Sequence, residues 1–400
     1  MKIGILTYHR SINYGAFMQS YALSQRLNEI ENVDAEIIDY MSRNMHWYYK
    51  MFTLYRGKKS ILKIKNRIEM YKSFKKDLKY LSLSKYKIIS NDEKKVFKKL
   101  KNTYDIIIVG SDAVWNFEKR GLPNPYFLLD DFKNTKKISY AASCNGLKYD
   151  KVTPEQKAII KKALSDFNYI GVRDILTEKM VNEILQKDVA IHNCDPTFLL
   201  DFEKDKIGEE FVQKLKTKLI KKYKWDTKKK HIGLMLSNLN GNLAKRLVHE
   251  LKNKYGDEYQ IVSIYSYCEY ADIKYISDLT PLEWSRIFSL FDITFSKYFH
   301  GTLLSLKNLT PVIAISAEYK IKDVPSKVED VLKRLDLDEL YFEAKCENDI
   351  NWSNLMKKVD ELLTEFPKNK ISLSINNEKE SGIKFLDYIK SMSRGGTKWK

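Results

Sequence analysis

The sequence predicts an α/β protein of two domains, each built on a parallel sheet that helices cover. Apolar runs of strand length alternate with helical patterns through residues 1–200, and the same alternation returns through residues 231–345. The chain has 400 residues, of which 44% are hydrophobic and 12% aromatic, enough for more than one core. Glycine (15) and proline (8) are scarce, which excludes collagen-like and broadly disordered chains.

The N-terminal domain, residues 1–200, opens with an apolar run at 2–8 that predicts a strand. A polar turn leads from it into a helical pattern at 16–27. A second helix, 154–167, begins after Thr153, which predicts Thr153 as its N-cap. The β-branched run 105–109 is typical of a buried parallel strand, and further strands are predicted at 35–39, 137–142, 169–172 and 189–192.

The second half repeats this organisation after a charged stretch, 201–230, which predicts a helix and a linker. The C-terminal domain, residues 231–345, has predicted strands at 231–237, 260–265, 292–295 and 311–315, and predicted helices at 243–255, 281–290 and 301–306. Residues 346–400 are predicted to form C-terminal helices and a tail that frays after Lys390. Two Rossmann-like halves of this kind would face each other across a cleft.

Much of the net charge of +18 lies in one segment, residues 50–101, which we name the basic segment. It holds 18 lysines and arginines against four acidic residues, and it predicts a helical insertion in the first domain. The spacing of Ile61, Ile64, Ile68 and Tyr71 predicts an amphipathic helix with a basic outer face. Three uses stay open: a solvated surface, contact with an anionic membrane or lipid-linked diphosphate, and nucleic acid, for which the segment has no recognised motif.

Several classes of protein are excluded by what the chain lacks. No apolar stretch approaches the ~20 residues that a membrane span needs. The N-terminus has the character of a first strand rather than of a signal peptide. The four cysteines are far apart with no CxxC pair, which supports neither a disulfide framework nor a zinc site. The sequence therefore predicts a reduced, cytoplasmic protein.

Loops that follow the N-terminal strands hold the first candidate site residues, since ligands of open α/β sheets bind beyond the carboxyl ends of strands. Gly15, in the loop after the first strand, would let the backbone approach a ligand, or simply form a turn. Asp112 follows the strand 105–109 and fits either a general base or an N-cap. Residue type alone does not decide between these interpretations.

Arg173 ends another predicted strand, where its guanidinium is suited to bind a carboxylate or phosphate in bidentate fashion. The adjacent Asp174 is an alternative partner for that charge. The sequence Cys194–Thr197 predicts a structural turn in which Asp195 and Thr197 bond the backbone, and we assign no catalytic role to it.

His300 lies between a predicted strand and a helix, followed by Gly301 and Thr302. The amides of these two residues would point at a bound anion, because the N-terminus of a helix carries free N–H groups. Lys297 adds a cation nearby.

Six motifs in order resemble the polysaccharide pyruvyl transferase family across roughly residues 1–320. They are NYGA at 13–16, VGSDAVWN at 109–116, SYAAS at 139–143, GVRD at 171–174, DPT at 195–197 and FHGT at 299–302. The resemblance implies a GT-B-like fold of two Rossmann-like domains. It also implies transfer of the enolpyruvyl group of phosphoenolpyruvate to a sugar of a surface polysaccharide, such as a capsule or exopolysaccharide, with release of phosphate and formation of a pyruvate ketal.

By this resemblance, Arg173 and His300 bind the donor, and His300 also serves as the acid. Asp112 faces the acceptor, and an electrostatic cradle for the phosphate comes from Lys297 and the amides of Gly301 and Thr302. Further contacts with the acceptor or the cleft are expected from Asn13, Tyr14, Gly15, Ser111 and Asn116. No metal and no cofactor are implied, since phosphoenolpyruvate is a co-substrate.

One departure from the family concerns position 298. Many members carry an arginine two residues before the histidine, whereas this chain has Tyr298. This departure keeps open a GT-B glycosyltransferase that uses a nucleotide sugar. The basic segment separately keeps open a basic protein that binds nucleic acid or a membrane surface. On the main hypothesis the partners are phosphoenolpyruvate and a lipid-linked saccharide acceptor, and the basic segment makes a peripheral contact with the inner face of the membrane.

Overall fold

The computed structural model of the chain has two parallel sheets, each packed between helices. The structure describes residues 1–52, 61–118, 121–130, 132–236, 241–316 and 324–394. Within these ranges the predicted α/β class and the alternation of strands and helices in both halves are confirmed.

The N-terminal domain holds a six-stranded sheet and a small two-stranded sheet. Its elements are β1 (Lys2–Leu6), α1 (Tyr14–Asn28), β2 (Asp34–Ile37), β3 (Tyr40–Met41), α2 (Arg43–Phe52), α3 (Ile61–Asp77), β4 (Ile88–Ile89), α4 (Glu93–Leu100), β5 (Ile106–Val109), β6 (Lys136–Ala142), α5 (Pro154–Leu164), β7 (Tyr169–Val172), α6 (Ile175–Leu185) and β8 (Ile191–His192). The large sheet has the order β2-β1-β5-β6-β7-β8, and β3 pairs with β4. The strand order reverses between β1 and β5, which places a topological switch point, the usual ligand position of such sheets, at their carboxyl ends.

The C-terminal domain has a five-stranded sheet in the order β10-β9-β11-β12-β13. Its elements are α7 (Glu209–Tyr223), β9 (Lys230–Met235), α8 (Gly241–Tyr255), β10 (Tyr259–Ser263), α9 (Pro281–Ile287), β11 (Ile293–Ser296), α10 (Phe299–Lys307), β12 (Val312–Ser316), α11 (Lys327–Arg334), β13 (Tyr341–Glu343), α12 (Trp352–Thr364) and α13 (Lys368–Arg394). All strand pairs of both large sheets are parallel. The carboxyl ends of the strands therefore meet along one edge in each domain.

Local sequence explains why these elements form. Every residue of β5 is buried, as its run of four β-branched residues predicts. Thr153 caps α5 as predicted, and it does so in a capping box in which its side chain accepts from the amide of Gln156. The four cysteines are free thiols in the structure.

The predicted C-terminal helices are observed, and the last of them, α13, is long. It runs from Lys368 to Arg394, so the fraying expected after Lys390 does not occur within the described chain. Its Phe385 packs on Tyr140 of β6, with ring centroids 4.4 Å apart. Because its apolar face is buried against the N-terminal sheet, α13 joins the two domains instead of forming a separate tail.

The basic segment contributes a helix that touches both domains, and the most buried face of this helix is not the predicted one. Ile64, Ile68 and Tyr71 of α3 are only half-buried, whereas Phe74 is fully buried. Phe74 packs against Tyr14 of α1, with ring centroids 6.2 Å apart. The face of α3 that became buried is therefore the one that meets α1, which no local pattern specifies. The side chain of Ile61 lies outside the described residues.

Candidate active site

Arg173 stands at the end of β7 with its guanidinium almost fully buried. Its Nη1 donates to Oδ2 of Asp195 at 2.8 Å, and its Nη2 lies 3.9 Å from Oδ1 of Asp112. The guanidinium also covers the ring of Phe299, 4.8 Å from its centroid. Burial alone would lower the pKa of Arg173, but the carboxylates around it, Asp195 foremost, raise that pKa above its ordinary value. The group therefore keeps its positive charge.

Asp195 follows β8 and holds the centre of the site. Its Oδ1 accepts from the amide (3.0 Å) and the hydroxyl (2.8 Å) of Thr197, which confirms the predicted turn. Its Oδ2 faces Arg173 and lies 3.4 Å from Nε2 of His300. Burial acts to raise the pKa of Asp195, yet His300 and Arg173 hold it well below its usual range. Asp195 is thus a buried, ionised carboxylate between two candidate donor-binding residues.

The sequence assigned Asp195 to a structural turn and gave it no catalytic role, but that turn uses only one of its two carboxyl oxygens. Arg173 and Asp195 follow β7 and β8, which are neighbours in the sheet. The signal that could have identified the pair is therefore an arginine and an aspartate at the ends of two consecutive parallel strands. Asp174, the alternative partner, caps α6 instead and accepts from Thr177.

His300 brings the C-terminal domain to this cluster. It lies in the first turn of α10 and approaches α1 so closely that a Cβ on Gly15 would overlap its Nδ1. Its Nε2 is buried, and the described part of the chain offers it no hydrogen-bond acceptor of good geometry, since Asp195 lies at ion-pair distance only. An unsatisfied buried N–H group is costly, so this nitrogen is suited to bind a ligand.

The N-terminus of α10 corrects one prediction about the amides. The helix begins at Phe299 rather than at residue 301, with Tyr298 as its N-cap. The amide of Thr302 already donates to the carbonyl of Tyr298 at 3.0 Å, so it is not available to an anion. The amides of Phe299, His300 and Gly301 come before this first helical hydrogen bond and are the free ones. Gly301 packs so closely that a Cβ there would overlap Sδ of Met235 in β9.

Asp112 lies on the N-terminal side of the cluster, beyond β5. A turn rather than a helix follows it, so it does not act as a helix N-cap. Its φ of +83° falls in the left-handed region, which costs a non-glycine residue on the order of 1–3 kcal/mol. The backbone is held there because its carbonyl accepts from Ser143 at 3.0 Å. Its side chain stays 18% exposed, which leaves the carboxylate accessible to a substrate.

Other residues expected at the cleft support the loops around it. Asn13 caps α1 by accepting from the amide of Gly15 at 3.0 Å. Tyr14 is buried, and its hydroxyl donates to the carbonyl of Leu279 in the other domain at 2.9 Å.

Ser111 is fully buried and donates to the side chain of Gln19. Asn116 donates to the carbonyl of Asn145 at 2.8 Å. Lys297 is half-buried, and its side chain has no ion-pair partner among the described residues. The structure thus brings Gly15, Asp112, Arg173 and His300 together, and the internal hydrogen bonds of Asn13, Tyr14, Ser111 and Asn116 hold the surrounding loops.

A second buried cluster, which the sequence did not reveal, fixes the loop after β1. His9 is fully buried, and its Nε2 lies 3.2 Å from Oδ1 of Asp39. Arg10 binds both oxygens of the same carboxylate, at 2.5 and 2.6 Å. Burial acts to raise the pKa of Asp39, but Arg10 and His9 hold it well below its usual range. This cluster anchors the loop that leads to Gly15.

Within the described ranges, no group of three or more histidine, cysteine or acidic side chains is arranged to hold a metal ion. None of the helices described has the length and apolar character to cross a membrane.

The family model for polysaccharide pyruvyl transferase matches residues 13–319 of the chain. The chain belongs to this family. The matched region contains every candidate site residue from Asn13 to Thr302, and the resemblance found in the sequence is confirmed. The protein is accordingly a transferase that acts in polysaccharide biosynthesis.

Solved structures similar to this pyruvyl transferase family member are GT-B-type enzymes, which confirms the predicted fold. The UDP-GlcNAc 2-epimerase from Neisseria meningitidis is 11% identical, with a TM-score of 0.56 over 96% of this chain and 99% of the epimerase. The enzyme of that name from Methanocaldococcus jannaschii is 13% identical, with a TM-score of 0.52 over 97% of this chain and 100% of its own. At these identities the likeness concerns the fold alone. No curated protein matches the chain in sequence.

Proposed function

We propose that this enzyme transfers the enolpyruvyl group of phosphoenolpyruvate to a sugar of a surface polysaccharide or of its lipid-linked precursor. The products are a cyclic pyruvate ketal and phosphate. The observation that carries the proposal is the junction of the domains at Arg173, Asp195 and His300, beside the free amides of α10. Membership of the family supports a pyruvyl donor and a polysaccharide acceptor.

The donor carries a carboxylate and a phosphate, so its pocket needs cations and free N–H groups. The amides of residues 299–301 at the positive end of α10 suit an anionic group. Lys297 supplies a cation, and His300 offers Nε2. The Nε of Arg173 is also buried without a partner in the described chain. Asp195 and Asp112 together outweigh the charge of Arg173, so a protonated His300 together with Lys297 would give the site a net positive charge for the donor.

Transfer begins when protonated His300 gives its proton from Nε2 to the methylene carbon of phosphoenolpyruvate. That carbon becomes a methyl group, and the adjacent C2 gains cationic character. A sugar hydroxyl attacks C2 and forms the first C–O bond, while Asp112 accepts its proton. The intermediate carries the sugar oxygen, the methyl group, the carboxylate and the phosphate on C2.

A second hydroxyl of the same sugar then attacks C2, and the bond from C2 to the phosphate oxygen breaks. Two hydroxyl protons have now been released. One returns His300 to its protonated form, and the other leaves with phosphate. The free amides of α10 stabilise the charge that collects on the phosphate as it departs. No net oxidation or reduction occurs, and both oxygens of the ketal come from the acceptor.

Thermal denaturation tests the donor. A ligand at about 100 times its dissociation constant stabilises a protein by ~2.7 kcal/mol, which raises the melting temperature by several degrees. We expect this rise with phosphoenolpyruvate and not with a panel of nucleotide sugars. It should be lost in His300→Asn, which keeps a polar group near Gly15 but lacks Nε2. A rise only with a nucleotide sugar would reject the pyruvyl donor and favour a glycosyltransferase.

Arg173→Ala is a less suitable variant for this test. Removing Arg173 leaves the carboxylate of Asp195 buried without its closest charged partner, which costs about 3–5 kcal/mol. Arg173→Lys keeps a positive charge but not the planar guanidinium. We expect weaker donor binding in Arg173→Lys, with a fold that survives.

We also infer that the basic segment brings the enzyme to lipid-linked, anionic glycans at the inner face of the membrane. Two large aromatic side chains on α2, Trp47 and Tyr48, are 51% and 63% exposed. The ammonium group of Lys50 lies 4.5 Å from the centroid of the Trp47 ring. Exposed aromatic residues among cations suit the interface between lipid headgroups and water.

Co-sedimentation with vesicles that contain anionic lipid tests this contact. Each basic residue near such a surface contributes about 1 kcal/mol. We therefore expect reversal to glutamate at four exposed lysines of α3 and its end to abolish sedimentation, namely Lys72, Lys75, Lys76 and Lys79. The matched control reverses four exposed lysines of the last two helices, namely Lys357, Lys368, Lys384 and Lys390. Equal sedimentation of both variants would reject the proposed contact.

A further inference from the structure

Two tyrosines lie side by side at the carboxyl edge of the C-terminal sheet. Tyr265 follows β10, and Tyr298 follows β11 and precedes His300 by two residues. Because β10 and β11 are the neighbours of β9, the two side chains meet across the end of β9. Their ring centroids are 4.2 Å apart and their planes are inclined by 40°. They form an aromatic platform next to the candidate site.

The platform presents apolar surface to solvent. Tyr265 is 41% exposed even though it packs on Tyr298. The other strongly exposed aromatic residues of the described chain lie in the basic segment or just before it, namely Trp47, Tyr48, Tyr80 and Tyr86. Among the described residues, Tyr265 is therefore the strongly exposed aromatic residue that lies beside the candidate site. Exposed aromatic faces in clefts are typical ligand contacts.

Hydrogen bonds from two serine hydroxyls to backbone carbonyls hold the turn that carries Tyr265. The hydroxyl of Ser263 donates to the carbonyl of Ser266 at 2.6 Å, which closes the turn around Tyr265. The hydroxyl of Ser266 donates in turn to the carbonyl of Leu236, beyond β9, at 2.7 Å. A side chain on such a fixed turn loses little freedom when a ligand binds.

Tyr298 is fixed in the same way. Its amide donates to the hydroxyl of Ser296 at 3.1 Å, and its carbonyl accepts from the amide of Thr302 at 3.0 Å. These bonds fix the backbone of Tyr298 at the start of α10, two residues before His300, and the packing against Tyr265 positions its ring. The platform is thus preorganised beside the residue that is proposed to protonate the donor.

We propose that Tyr265 and Tyr298 bind a pyranose ring of the saccharide acceptor by stacking. The inference deepens the proposed function and rests on it. One face of a pyranose presents C–H groups that pack on an aromatic ring, and tyrosine hydroxyls can exchange hydrogen bonds with sugar hydroxyls.

The surroundings of the platform suit a lipid-linked acceptor. The chain that follows Tyr265 reaches α3 of the basic segment, where the hydroxyl of Tyr275 contacts Sδ of Met70 at 3.4 Å. Two residues later, Ser277 bonds the carboxylate of Glu69. The chain that leads away from the platform is therefore in contact with the basic segment. A lipid-linked saccharide, which has sugars at one end and a diphosphate at the other, needs both kinds of surface.

Saturation-transfer NMR tests the platform with simple probes. The probes are methyl glycosides of glucose, galactose, mannose and N-acetylglucosamine, with UDP as a nucleobase probe. We expect saturation to pass from aromatic protons to the ring protons of at least one glycoside. Tyr265→Ala should weaken that binding by about 3- to 10-fold, whereas Tyr265→Phe keeps most of it because the ring remains. Tyr86→Ala, which removes an exposed tyrosine elsewhere, should change nothing.

Three outcomes would overturn the platform: no transfer to any glycoside in the native protein, equal transfer in Tyr265→Ala, or a loss confined to the uracil protons of UDP. Thermal shifts with phosphoenolpyruvate, measured on the same samples, separate this inference from the proposed donor. If Tyr265→Ala loses only the glycoside, both proposals stand. If phosphoenolpyruvate fails to stabilise the native protein while glycoside binding depends on Tyr265, the donor is rejected and the platform stands.

Discussion

Gly15 and His300 meet where the two domains touch, and a Cβ on Gly15 would overlap Nδ1 of the imidazole. The glycine belongs to α1 and the histidine to α10, so neither local sequence specifies the contact. The imidazole can reach Asp195 because position 15 has no side chain. This relationship gives the first prediction.

Gly15→Ala should lower stability and abolish donor binding. Alanine within a helix is ordinarily more stable than glycine by roughly 0.5–1 kcal/mol, but here the added methyl group must displace the ring of His300. We expect a lower melting temperature and no thermal shift with phosphoenolpyruvate. Ser24→Ala, on the same helix, is the control, since the buried hydroxyl of Ser24 has no partner in the described chain. A more stable, active Gly15→Ala would contradict the observed contact.

Asp195→Asn tests the carboxylate between Arg173 and His300. Asparagine keeps an oxygen for Thr197, so the turn should persist, while the charge that orients both cations is lost. We expect turnover to fall by about 100-fold or more, as in other sites where a buried carboxylate positions a histidine. A melting curve checks that the variant is folded. Normal turnover in a folded Asp195→Asn variant would show that Asp195 serves only to form its turn.

Acid should destabilise the protein through Asp195 and Asp39, whose pKa values in the folded state are held below the ordinary range. A carboxyl with a lowered native pKa contributes stability above its unfolded pKa of about 4, and that contribution is lost as the pH falls further. The free energy of unfolding in urea, measured between pH 6 and pH 3, should therefore decline below about pH 4. In Asp195→Asn the decline should be shallower, and an unchanged slope would contradict the assignment.

His231 should make the free energy of unfolding depend on pH above the range in which the two carboxyl groups titrate. It is buried against Trp225, with ring centroids 3.9 Å apart, and burial lowers its pKa to about 4. The unfolded chain binds a proton near pH 6.5, so stability falls by roughly 3 kcal/mol as the pH drops from 6.5 to 4. His231→Phe keeps the stacking without a titrating group and should remove the contribution of His231 to this fall in stability. A variant that keeps the full fall would point to another residue.

Tyr14→Phe tests whether Tyr14 acts as a link between domains rather than as a cleft residue. Loss of its hydroxyl leaves the carbonyl of Leu279 without that donor, at a cost of about 1–3 kcal/mol. We expect a lower melting temperature and an unchanged shift with phosphoenolpyruvate. Tyr86→Phe, at a tyrosine that is 67% exposed, provides the comparison and should melt like the native protein. Loss of phosphoenolpyruvate binding in Tyr14→Phe would instead indicate that Tyr14 contacts the substrate in the cleft.

Much of the fold could be predicted because its signals are local. The buried run of β5 and the cap of Thr153 depend on neighbours within four residues, and β7 was predicted at its observed bounds. The start of α10 was misplaced by two residues, since Tyr298 is an unusual N-cap without a side-chain hydrogen bond. This shift of two residues decides which backbone amides are free. It excludes the amide of Thr302 from the group that was predicted to bind the phosphate.

The sequence predicted several individual residues of the candidate site but not the contacts between them. Strand ends and helix starts drew attention to Asp112, Arg173 and His300, because each lies where parallel sheets bind ligands. Asp195 and the His9–Asp39 pair were missed, since their partners are separated from them by 22 to 105 residues.

The sequence by itself determined the α/β class, most strands and helices, and the family, because these depend on short patterns of polarity, size and turn chemistry. The tertiary structure decided which faces and charges meet. It buried Phe74 of α3 against Tyr14 and laid α13 on the N-terminal sheet. It also brought Arg173, Asp195 and His300 into contact at one site. Contacts between distant segments depend on packing the whole chain at once, and no local pattern contains that information.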